Sequence, residues 1–235
     1  MANKKMRASK KPAEDAKKET KTYNKEIYWL LAAMASLVIV FFISYYAFGS
    51  LNTFEYDSLT FTREKFGDIP VYHYYYFYEY DDKQYKYNLY LRNDPRSNTI
   101  PITGNVIDRG IEFPLSAQVY ISIAPEGLVG CEYGSSGIAT LSSFLADNQI
   151  KVKGAASDKE QAELNGLRYV TCETNQDDIV IMMQGGEETK IIQESDSCYI
   201  IEINNCEVLE AVEKFQVQSV LDARNRQNLA TSRGF

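Results

Sequence analysis

Residues 27–48 of this chain, IYWLLAAMASLVIVFFISYYAF, carry no charged side chain. At about 1.5 Å rise per residue, a helix of that length spans about 33 Å, enough to cross a hydrocarbon core of about 30 Å. A soluble helix this long normally keeps a polar face, and this one has none. Aromatic rings stand at both ends, Tyr28 and Trp29 at the start and Tyr45, Tyr46 and Phe48 at the close. Amphipathic rings favour the headgroup region, so the stretch reads as a single transmembrane anchor.

The flanks set its direction. Residues 1–26 hold nine Lys or Arg and four acids, a net of +5, while the part after the anchor holds 16 basic and 28 acidic residues, a net of −12. The positive-inside rule then predicts a cytoplasmic N-terminal tail and a C-terminal domain outside, with the plasma membrane as the expected location. The apolar run is longer than a secretory signal core, and Ala47-Phe48-Gly49 is a poor cleavage site, so an uncleaved signal anchor is expected. Ala32 and Ser36 form a small-xxx-small pair that predicts a weak tendency of two anchors to dimerise. The tail, rich in Lys, Glu, Thr and Ala, reads as a disordered tether to anionic lipid.

Roughly 185 residues follow the anchor, enough for one sizeable domain or two small ones. Their acidity argues against nucleic-acid binding, which needs clustered Lys and Arg. All four cysteines, Cys131, Cys172, Cys198 and Cys206, lie in this part. An even count outside the cytoplasm predicts two disulfides, and the wide spacings disfavour a zinc site. Cys198 opens a predicted strand and Cys206 the helix after it, which separates them by more than about 15 Å. A disulfide needs Cα atoms within about 7 Å, so the favoured pairing is Cys172–Cys198 with Cys131–Cys206, on the expectation of a meander that puts Cys172 and Cys198 at one end of a sheet.

Along the chain, 54–66 reads as a first strand and Gly67-Asp68-Ile69-Pro70 as a turn. Residues 71–80, VYHYYYFYEY, and 85–92, YKYNLYLR, read as a hairpin closed by a loop over 81–84. Setting Tyr80 opposite Tyr85 puts Tyr78/Tyr87, Tyr76/Leu89 and Tyr74/Leu91 on an apolar face. The other face then carries Glu79/Lys86, Phe77/Asn88, Tyr75/Tyr90 and His73/Arg92. The first face is predicted to pack on the domain, which leaves Tyr75, Phe77 and Tyr90 as the exposed aromatic residues and the candidate ligand-binding set. Segments 100–107 and 111–113 read as edge strands and 118–124 as a good strand.

Residues 125–137 form a loop with four glycines and Cys131, leading into a helix to about residue 146 and a strand at 150–152, a crossover that predicts two parallel strands. A short charged segment, 157–165, precedes strands at 167–171, 179–184 and 189–193. Gly185-Gly186 predicts that the last two pair as a hairpin. A strand over 198–203 leads into a helix over 206–224, with Val208, Val212 and Phe215 on one stripe and frayed residues after it.

Catalytic motifs are weak. His73, the single histidine, sits opposite Arg92 in the predicted register, a poor setting for a general base. Gly134-Ser135-Ser136-Gly137 fits no nucleophile elbow, and the glycines fit no phosphate-binding pattern. Acid pairs such as Asp177-Asp178 and Glu187-Glu188 fall at predicted turns, and no N-glycosylation sequon occurs.

The resulting expectation is an α+β ectodomain, an antiparallel and mixed sheet with two helices, behind one N-terminal transmembrane helix. Its divisions are 1–26 tail, 27–48 anchor, 50–116 Tyr-rich antiparallel part, 117–228 mixed part and 229–235 frayed end. The expected function is a non-enzymatic envelope module, without catalytic residues, metal or cofactor, that binds another envelope protein or a surface layer. The alternative is a ligand-binding ectodomain, for carbohydrate or sensing, using Tyr75, Phe77 and Tyr90.

Overall fold

The computed structural model describes residues 12–104, 110–114, 117–126 and 128–233, which form two units divided between Asn52 and Thr53. The first unit is one helix, α1 (Pro12–Asn52). Its Ile27–Asn52 portion is long and apolar enough to cross a membrane, and all of it is exposed. The tail read as disordered is helical from residue 12 onward, and residues 1–11 lie outside the described residues. Ala, Lys and Glu are strong helix formers. The connector expected at 49–53 is likewise helical up to Asn52.

The second unit is α+β, with three helices rather than the expected two. Its first sheet is an antiparallel ribbon, in order β1 (Thr53–Tyr56), β2 (Leu59–Phe66), β3 (Ile69–Tyr80) and β4 (Lys83–Leu91). The single strand expected at 54–66 is two strands. Asp57 and Ser58 both take positive φ, 45° and 68°, and close a two-residue hairpin. Gly67, at φ 63°, and Asp68 make the next turn, so Ile69 and Pro70 belong to β3. Asp81 and Asp82, at φ 52° and 58°, make the third.

That third turn corrects the hairpin register. Lys83 and Gln84 are strand residues, and the pairs are Tyr80/Lys83, Tyr78/Tyr85, Tyr76/Tyr87, Tyr74/Leu89 and Tyr72/Leu91. The slip is two residues, and because side chains alternate with period two, each face keeps the residues predicted for it. The predicted Glu79/Lys86 and His73/Arg92 pairs are absent. Their places are taken by Glu79/Gln84, Phe77/Lys86, Tyr75/Asn88 and His73/Tyr90.

The second sheet has seven strands, in order β5 (Ile102–Gly104), β10 (Lys190–Ser195), β11 (Cys198–Ile203), β9 (Ile179–Gly185), β6 (Gln118–Ile123), β7 (Lys151–Ala156) and β8 (Arg168–Tyr169). β6 and β7 are parallel neighbours, joined through α2 (Gly134–Asp147) as the crossover pattern predicts. The expected β9–β10 hairpin does not form. β11 lies between them, antiparallel to β10 and parallel to β9. β5 joins this sheet rather than the Tyr-rich part, and Ile111 is buried without belonging to a strand.

Between the two sheets runs α4 (Val208–Arg233), which continues well beyond the predicted end at residue 224. One core cluster joins Leu59, Phe61, Leu89 and Leu91 of the ribbon to Val212, Phe215 and Val220 of α4 and to Val119, Ile181 and Tyr199 of the large sheet. Over 208–221 α4 is buried almost all round, so the single predicted stripe underestimates it. Two of its buried polar residues donate inward: Gln216 Nε2 to Thr140 O of α2 at 3.1 Å, and Ser219 Oγ to Phe215 O of its own helix at 2.7 Å. The start of α2 passes so close to α4 that a Cβ on Gly137 would meet Val208 Cγ1 at 2.9 Å.

A smaller core, Tyr120, Ala155, Val170 and Val180, lies on the other face of the large sheet. α3 (Lys159–Asn165) supports the β7–β8 end, with Asp158 accepting from the Gln161 N–H as its N-cap.

Candidate functional site

The three aromatic residues read as exposed from the sequence come together on the outer face of the ribbon. Tyr75 is 51% exposed, Phe77 54% and Tyr90 45%. They are links in a longer run of rings. Phe66 and Tyr90 have centroids 6.4 Å apart, and Tyr90 stacks on His73 at 4.5 Å. His73 and Tyr75 follow at 6.0 Å, then Tyr75 and Phe77 at 5.9 Å. The run crosses three strands, and Ile69, 42% exposed, pairs with Phe66 at its end.

Sequence reasoning missed Phe66 and Ile69. The signal was present: a two-residue Gly-Asp turn makes them a terminal cross-strand pair, whereas a four-residue turn over 67–70 hides the pairing.

Three contacts hold the surface in shape. Lys86 Nζ lies 4.2 Å from the Tyr75 ring centroid, a cation–π contact that fixes the ring. His73 Nδ1 is 2.8 Å from Glu64 Oε1, and Nε2 is 3.1 Å from Asn88 Oδ1. Both ring nitrogens are thereby engaged, and the imidazole serves as a platform under Tyr90.

The inner face of the same strands packs on the domain. Tyr76 Oη donates to Asn148 Oδ1 at 2.6 Å, and Tyr78 Oη donates to Asp147 O. Burial pushes the Tyr76 phenol well above the usual tyrosine range, and the Tyr87 phenol likewise. These rings stay neutral and act as packing groups.

The cysteines form two bridges. Cys131 and Cys206 have Cα atoms 5.2 Å apart, and Cys172 and Cys198 5.5 Å apart. The first ties the loop before α2 to the turn before α4. The second reaches Cys198 by a route the meander did not foresee, because β8 lies at the far edge of the sheet from β11. Residues 170–178 return across the second face, where Val170 and Cys172 pack with Val180. Glu194 stands beside Cys172 and Cys198, with ligand atoms within 4.8 Å of one another, but both sulfurs are committed to the bridge.

The glycine-bearing loop is a packing device. Gly134 and Gly137 open α2, and Gly137 admits Val208. No family model, curated protein or solved structure matches this chain.

Proposed function

We propose that this is a single-pass protein of the plasma membrane whose C-terminal domain stands outside the cytoplasm and binds another envelope protein through the outer face of the Tyr-rich ribbon. The observation that carries the reading is the continuous run Phe66, Tyr90, His73, Tyr75 and Phe77, in which four rings are more than two-fifths exposed. Contiguous exposed aromatic surface with a charged rim, here Glu64, Glu79 and Lys86, is the chemistry of a protein interface. The rings are held by β-pairing and by the Lys86 and Glu64 contacts, so little ordering entropy is lost on binding.

The anchor, the basic tail and the two bridges support the topology, since disulfides persist in oxidising compartments. Close approach of two anchors at Ala32 and Ser36 belongs to the same reading. A binding role rather than catalysis is supported by the engagement of both His73 nitrogens and the commitment of all four cysteines to disulfides.

The test is photocrosslinking in native membranes, with benzoylphenylalanine in place of Tyr75 or Tyr90 and, as control, Tyr169 in the large sheet. A discrete protein adduct from the first two positions and none from the third supports the reading. Equal adducts from all three sink it. A second reading, carbohydrate binding, draws on the same rings, because Tyr75 and Tyr90 present aromatic faces on which sugar rings stack. A glycan-array signal from the full chain that disappears in Tyr75→Ser would transfer the site to that ligand class.

A further inference from the structure

The opposite face of the ribbon closes over a cavity of about 430 Å³. Four segments line it: the inner tyrosines of β3, the stretch at 111–114, the end of α2 with residues 148–150, and residues 219–227 of α4. Its volume lies in the range of pockets that hold small ligands, roughly 300–1,000 Å³.

The walls favour an apolar occupant. Ile111, Phe113, Phe144, Ile150 and Val220 supply aliphatic and aromatic surface. The polar atoms of the wall are largely turned to the protein. Tyr76 Oη donates to Asn148, Tyr78 Oη to Asp147 O, and Ser219 Oγ to Phe215 O. Phe77 and Glu79 border the cavity from a strand in which odd-numbered residues face outward.

The lining carries two cations and one acid, Glu79, at the β3 border. Arg224 and Arg226 stand on the α4 side, in a domain whose net charge is −12 by residue count. Arg226 donates to Ile111 O at 2.9 Å and lies 4.0 Å from Glu112. Arg224 donates to a carbonyl, Ser58 O, at 2.7 Å, and among the described residues no carboxylate lies within ion-pair distance of it. A guanidinium with four further donors, beside an apolar cavity, selects an acidic head on an apolar body.

We infer that this cavity binds a single-chain anionic amphiphile, with its chain against Phe113, Phe144 and Val220 and its acidic head at Arg224. This site lies behind the ribbon, on the other face of the sheet from Tyr75 and Tyr90 and with Phe77 at the border of both, and it does not depend on the partner reading above. Its test uses the full chain in native membranes, with a diazirine fatty acid as probe, the matching diazirine fatty alcohol as control, and peptide mapping of the adducts. The acid is expected to label peptides bearing Phe113, Phe144 or Val220, and the alcohol to label them about tenfold less, the ratio that one charge-assisted hydrogen bond supplies. Ala223→Trp, at an exposed lining position, is expected to abolish the labelling while leaving both disulfides and the melting temperature in place. Arg224→Gln is expected to bring the acid down to the level of the alcohol. Adducts confined to Ile27–Asn52, equal labelling by acid and alcohol, or labelling unchanged in a folded Ala223→Trp chain would each overturn the inference.

Discussion

The Glu213 carboxylate of α4 accepts the backbone N–H of Asn93 at 3.1 Å, just past the end of β4. It also accepts the Asn93 side-chain amide at 3.0 Å and the Arg92 N–H. One side chain thus fastens the ribbon to the central helix and is only 2% exposed. Burial pushes its carboxyl up to about 7, against the downward pull of those three donors and with the Glu210 charge adding to the rise.

The sign of the pH dependence follows. Between the ordinary value of 4.5 and about 7, the folded chain holds a proton that the unfolded chain has released. This contribution is therefore full below pH 4.5, falls as pH rises, and is gone above about 7. The interval corresponds to about 3 kcal/mol. The readout is the difference between wild type and Glu213→Gln in urea midpoints at pH 5 and pH 8. Wild type is expected to lose more stability across that interval. Equal losses would place the pH dependence elsewhere.

Gly137→Ala is expected to destabilise by about 1–3 kcal/mol, because its Cβ meets Val208 Cγ1 at 2.9 Å across the α2–α4 contact. Gly154→Ala in β7, with nothing within 4 Å of the added atom, is the matched control and is expected to be neutral or slightly stabilising. Urea unfolding of both separates close packing from a general glycine effect. Similar losses in the two variants would contradict the contact.

Removing each bridge as a Cys→Ser pair is expected to cost about 4.5 kcal/mol for Cys131–Cys206 and about 3.5 kcal/mol for Cys172–Cys198, the order set by their separations of 75 and 26 residues. Non-reducing peptide mapping of protein from native membranes should show these two linkages alone. A Cys172–Cys206 or Cys131–Cys198 peptide would contradict the fold, since Cys198 opens β11 and Cys206 lies in the turn past its far end.

What was legible in the sequence was local, and what failed was long-range order. The two faces of the Tyr hairpin were readable because alternation survives a two-residue slip. The register was not, because Lys83 and Gln84 look like loop residues and Asp81-Asp82 does not announce a two-residue turn. The length of one strand ruled out Cys198–Cys206, but the choice between the two remaining pairings rested on a meander that is absent, so the observed pairing was reached on a wrong ground. Gly185-Gly186 marked a real bend, but nothing near it encodes that β11 returns between β9 and β10. In α4, Glu213, Gln216 and Ser219 imitate a solvent face; Ser219 is satisfied within the helix by Phe215 O, whereas tertiary structure supplies the partners of Glu213 and Gln216. The exposed trio Tyr75, Phe77 and Tyr90 followed from alternation, whereas the cavity behind the ribbon joins segments more than a hundred residues apart and left no pattern.

The ribbon's two faces predict opposite costs for one kind of change. Tyr76→Phe removes the hydroxyl bonded to Asn148 on the half-buried inner face and is expected to cost about 1 kcal/mol, with the unpaired Asn148 oxygen adding to it. Tyr75→Phe, one residue away on the outer face, leaves the ring under Lys86 and is expected to change stability by less than about 0.5 kcal/mol. Larger truncations widen the gap: Tyr76→Ala takes a ring from between Tyr87 and Tyr78, whereas Tyr75→Ala removes a ring that is already half exposed. Chemical denaturation of the four variants decides the matter. If Tyr75 proved the costlier position, the strand would be turned over, and with it both the aromatic surface and the cavity behind it would be assigned to the wrong faces.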